Sequence, residues 1–118
     1  MVSTRTYNFF VIIFCLVITI GSSIPGNSVP ELYIFGMDKL LHVLEYFILG
    51  HLLVNSLSDK THYPVYLSFV LGLCFALIDE TYQLTVIERS SSSFDVIADA
   101  IGLTLAIIIN HKFSKIIG

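Results

Sequence analysis

The chain has 118 residues, a net charge of −3, 55% hydrophobic residues and only 13% charged ones. A soluble domain carries about 25% charge, and the mean hydropathy here is +0.84, so neither an ordinary water-soluble enzyme nor a disordered chain fits. There is no basic run, so nothing supports nucleic-acid binding, and Cys15 and Cys74 lie inside apolar runs without a Cys-x-x-Cys or Cys/His spacing, which argues against a disulfide framework or a zinc site.

Four apolar segments follow one another, at roughly 7–22, 40–57, 64–84 and 94–110. The first is centred on FFVIIFCLVITI. With Arg5 before it and Gly21-Ser22-Ser23 after it, it also fits a secretory signal. Retention is the favoured reading, because cleavage would leave three spans and strip a small bundle of a packing partner. A connection punctuated by Pro25-Gly26-Asn27 and Pro30 leads to the second segment. A short polar turn leads to the third, which Asp79, Glu80 and Gln83 interrupt near its end. Arg89 and four serines precede the fourth.

A membrane-spanning helix needs about 20 residues, with a range of about 17–25. Within hydrocarbon each backbone polar group must be paired internally, so spanning segments are helices. The expected fold is an all-α membrane protein with four transmembrane helices in a compact bundle, residues 1–118 forming a single membrane domain. With four crossings, Arg5, Lys60, Lys112 and Lys115 share one side, against Lys39 and Arg89 on the other. The positive-inside rule then places both termini in the cytoplasm.

The acids are placed more tellingly than the bases. Eight of the nine, all but Asp59, fall on the side opposite the termini. Asp38, His42 and Glu45 recur at four and three residues, and Asp95, Asp99 and Gly102 do the same. Gln83 follows Asp79 by four and Glu80 by three. Such spacings put each set on one stripe of a helix. A charge facing lipid costs about 2.5–3.5 kcal/mol or more, so the three stripes are expected to turn inward. They would form a polar pocket open to the first and third connections.

Ionisable residues within a membrane mark functional sites by default. His42, Glu45, Asp79 and Glu80 are the candidate acid–base groups, because adjacent carboxylates push one proton affinity up and an imidazole can relay a proton. Lys39, Gln83, Arg89, Ser90, Asp95 and Asp99 are the candidate ligand-binding groups, with Arg89 suited to clamping a phosphate or carboxylate. The spacing is not that of a metalloprotease helix, so no metal ligand set and no cofactor are assigned. The excess of acids on that side still leaves room for a divalent cation. His51, His62 and His111 read as structural or surface residues. Gly50, Gly72 and Gly102 read as close-packing points between helices.

The stretches SIPG at 23–26, DKLLHVLEYFILG at 38–50, ALIDETYQLTVIERS at 76–90 and DVIADAIG at 95–102 resemble, in order and spacing, the VanZ-like family of small membrane proteins. The resemblance implies four spans in the cytoplasmic (inner) membrane. It also implies characteristic polar positions at Lys39, His42, Glu45, Tyr46, Asp79, Glu80, Gln83, Arg89, Asp95 and Asp99. Two departures stand out. Ile87-Glu88 replaces the Pro-Gly that often precedes the arginine, and Asp99 stands where relatives often carry Asn. The family takes its name from a protein of glycopeptide (teicoplanin) resistance.

The expected function is therefore that of a VanZ-like integral membrane protein with a polar pocket on its extracytoplasmic face. It would bind or handle an anionic, lipid-linked or peptidoglycan-related component of the cell envelope, with the lipid bilayer as its other partner. The alternative is a membrane-embedded acid–base or metal-dependent hydrolase or transferase. No recognisable nucleophile motif accompanies that alternative, and whether the chain is an enzyme stays open at this point.

Overall fold

The computed structural model of the chain describes residues 2–25, 37–87 and 93–117, with side chains as far as residue 110. Four helices follow in order: α1 (Thr4–Ser22), α2 (Asp38–Leu57), α3 (Pro64–Gln83) and α4 (Ser93–Ile117). Each is long and apolar enough to cross a bilayer. At a rise of about 1.5 Å per residue, 20 residues cover the roughly 30 Å of hydrocarbon. The chain is an all-α membrane protein of four transmembrane helices.

The helix ends follow from local chemistry. The Ser3 hydroxyl accepts from the Thr6 backbone N–H at 3.3 Å and caps α1. Pro64 opens α3, where its missing N–H costs nothing. Asp38 and Asp95 sit in the first turns of α2 and α4, against the positive ends of those helix dipoles.

Burial is inverted relative to a protein that folds in water. Ile20, Ile78 and Phe94 are each about two-thirds exposed, at 66%, 67% and 67%, whereas Asp99 is 1%, Gln83 2% and His42 4% exposed. Apolar side chains outside and charged ones inside is the arrangement that hydrocarbon solvent favours, since lipid tails welcome the first and penalise the second.

The largest helix interface is that of α2 with α4; α1 packs mainly on α2, and α3 packs on both α2 and α4. The buried apolar core includes Ile18, Tyr46, Leu49, Leu53, Ala76 and Leu103. All three glycines expected at helix contacts are there. A methyl group added at Gly102 would fall on the Val43 carbonyl oxygen and 2.9 Å from the Phe47 nitrogen. Gly50 and Gly72 flank the Leu103 side chain, with Gly72 leaving only 2.5 Å between an added Cβ and Leu103 Cδ2. Small residues thus let the α2 and α4 backbones meet.

Side-chain contacts fix how the helix ends group. The C-terminal ends of α1 and α3 meet through Ser22, Asp79 and Gln83. The N-terminal ends of α2 and α4 meet through Lys39 and Asp95. The opposite end of the bundle has its own polar layer. There Ser56 and Lys60 both donate to Asn8 Oδ1, Thr4 donates to Asp59, and Asn55 donates to Asn110 at 3.2 Å.

Candidate functional site

At the first of these ends, side chains from all four helices form one buried polar cluster. From α2, Lys39 pairs with Asp38 at 2.7 Å and reaches across to Asp95 of α4. One turn further along, His42 Nδ1 lies 2.7 Å from Asp99 Oδ1, one turn beyond Asp95 on α4. The same imidazole places Nε2 at 3.9 Å from Asp95 Oδ1. Two rungs between α2 and α4, three residues apart on α2 and four on α4, therefore carry one ammonium–carboxylate and one imidazole–carboxylate contact. Helical spacing of i, i+3 on α2 and i, i+4 on α4 is what aligns them.

From α3, Asp79 Oδ2 accepts from the Ser22 hydroxyl at 2.7 Å and from Gln83 Nε2 at 3.4 Å, and Gln83 also donates to Ser22 at 3.1 Å. Asp79, Glu80, Gln83, Asp95 and Asp99 are all buried. Asp79 and Glu80 therefore lie inside the bundle and not in an exposed headgroup position. Glu45 is half-buried and within electrostatic reach of both His42 and Tyr46. Arg89 and Ser90 lie outside the described residues.

Tyr46 stands at the floor of the cluster. It is fully buried against Phe75, at a ring-centroid distance of 6.3 Å. Its hydroxyl is within electrostatic reach of Asp99, Asp79, Glu45 and Glu80 but makes no hydrogen bond among the described residues. Asp99 Oδ2, the oxygen turned away from the His42 contact, makes none either. Both are groups that usually find partners when buried.

One imidazole nitrogen of His42, one oxygen of Glu80 and one of Asp99 lie within 4.8 Å of one another. Residues 2–114 match the sequence profile of the VanZ/LLP1 family. The chain belongs to the VanZ/LLP1 family. No curated protein and no solved structure matches it.

In this VanZ/LLP1 chain Ser22 and Tyr46 join the candidates that spacing points to. Ser22 reads in sequence only as part of a Gly-Ser-Ser helix end, and nothing local marks it as the donor to Asp79. Tyr46 reads as one more aromatic residue in an apolar run, and only the family resemblance singles it out. His51 and His62 are exposed and away from the cluster, His51 meeting the Tyr7 ring edge-on at 6.2 Å. The grooves on the outer surface of α2 and α4 are apolar. One of them is bounded by Leu40, Val43, Ile97 and Ile101 and ends at Lys39.

Proposed function

We propose that this protein binds or handles an anionic, lipid-linked component of the cell envelope, peptidoglycan-related in the first instance, at the extracytoplasmic end of its bundle. One observation carries the reading: the apolar groove between α2 and α4 ends at Lys39, whose side chain is 40% exposed while its Asp95 partner is 7% exposed. An acyl chain lying along Leu40, Val43, Ile97 and Ile101 would bring a phosphate-type headgroup to the Lys39 ammonium, and charge-assisted hydrogen bonds are the strong ones.

Arg89 and Ser90 complete the grip, Gln83, Asp95 and Asp99 line a polar pocket, and His42, Glu45, Asp79 and Glu80 orient the ligand or move a proton. The protein sits in the inner membrane with both termini in the cytoplasm, and glycopeptide resistance is the physiological setting in which we place it. The test is co-purification: phospholipid and lipid-linked precursors extracted with the wild-type protein are compared with those of Lys39→Ala and Arg89→Ala. A selective loss of anionic lipid is expected. Unchanged lipid content in both variants overturns the reading.

A further inference from the structure

We propose that His42, Glu80 and Asp99 form a binding site for a divalent transition-metal cation of the Zn²⁺ type, with the Tyr46 hydroxyl beside it. The three residues come from α2, α3 and α4 and are 4%, 5% and 1% exposed. Nitrogen and oxygen donors around a Zn²⁺-type cation sit at about 2.0–2.2 Å and so at most roughly 4.4 Å apart, and donor atoms within 4.8 Å of one another reach a common centre by small side-chain adjustments. One imidazole nitrogen with two carboxylate oxygens is a mixed donor set. The imidazole selects zinc-like ions over Mg²⁺ or Ca²⁺, which prefer oxygen alone.

Grouped acids would not carry the assignment by themselves. In addition, Tyr46 Oη and Asp99 Oδ2, two buried oxygens in the cluster, have no hydrogen bond among the described residues. Buried polar groups are as a rule hydrogen-bonded, and a cation with its bound water satisfies both at once. Asp99 Oδ2 is a ready ligand, and the phenol can donate to, or accept from, a metal-bound water. His42 Nδ1 and Asp99 Oδ1 stand 2.7 Å apart, a separation that two donors at about 2.0–2.2 Å from one cation also adopt, and the other ring nitrogen, Nε2, lies 3.9 Å from Asp95 Oδ1.

This site needs no anionic ligand, so it goes beyond the lipid-binding reading and does not rest on it. The test uses the full chain in detergent, stripped with chelator and then given Zn²⁺ alone. About one equivalent per chain is expected, with a raised thermal midpoint. Glu80→Gln and Asp99→Asn should each weaken uptake by about tenfold or more, while Asp59→Asn, at the opposite end of the bundle, should not. Sub-stoichiometric uptake by the wild type, or equal uptake by the two cluster variants, overturns the site. Where those variants fail to fold, Co²⁺-loaded wild-type protein decides by X-ray absorption: an imidazole nitrogen in the coordination shell is expected, and a shell of oxygen alone overturns it. Loss of Zn²⁺ binding with anionic lipid still co-purifying would sink this inference and leave the lipid reading standing.

Discussion

The Ser22 hydroxyl donates to Asp79 Oδ2 at 2.7 Å, tying the last turn of α1 to the last turns of α3. Both residues are buried, at 4% and 5% exposure. Removing the donor from a buried carboxylate costs more than removing a solvated hydrogen bond, about 1–3 kcal/mol. Ser22→Ala should therefore lower the thermal midpoint of the purified protein. Ser23→Ala should do much less, because the contact of Ser23 with the Tyr82 hydroxyl is exposed. Equal midpoints for Ser22→Ala and wild type would show that Asp79 does not depend on α1.

The spans and the three polar stripes were legible in the sequence for a simple reason. Hydrocarbon forces helices and penalises outward charge, so residues at four- and three-residue spacing must face the interior. Which rung meets which was not legible. His42 pairs with Asp99 and Lys39 with Asp95 because Gly102 lets α4 close on Val43 and so sets the register, and only the packed helices reveal it. The role of Ser22 was invisible for a similar reason. A serine at a helix end is common, and its meaning depends on a partner 57 residues away.

Gly102 is the point at which the α2 and α4 backbones meet, and a methyl group there falls on backbone atoms that cannot swing aside. Overpacking of this kind costs about 1–3 kcal/mol, so Gly102→Ala should lower the thermal midpoint. It should also disturb both rungs between α2 and α4. Gly21→Ala is the contrasting substitution. An added Cβ there meets nothing within 4 Å, and Gly21 is helical. Replacing a helical glycine by alanine is favourable by about 0.5–1 kcal/mol, so the midpoint should rise. Shifts of the same sign for the two substitutions would contradict the packing described.

Lys39 and Asp95 can be tested as a pair. The carboxylate is nearly buried and the ammonium partly solvated, so each single neutralisation, Lys39→Met or Asp95→Asn, should destabilise, with Lys39→Met the worse because it strands a buried charge. The double variant should recover part of the loss, giving a coupling of about 0.5–3 kcal/mol in a thermodynamic cycle. Strict additivity would mean that Asp38, 2.7 Å from the same ammonium, is the partner that counts.

Sidedness can be read chemically. Ser23 and Asp59 are both exposed and lie at opposite ends of the bundle. In a background with Cys15 and Cys74 replaced by alanine, Ser23→Cys and Asp59→Cys each present a single thiol. Cytoplasmic termini require the Ser23 end, with the His42–Asp99 cluster, to face outward. A membrane-impermeant maleimide should then label Ser23→Cys in intact cells and Asp59→Cys only after permeabilisation. The reverse pattern would put the cluster, and the Lys39 end of the groove beside it, on the cytoplasmic face, where an outward-facing envelope precursor is out of reach. The ligand would then have to be sought among anionic lipids of the inner leaflet.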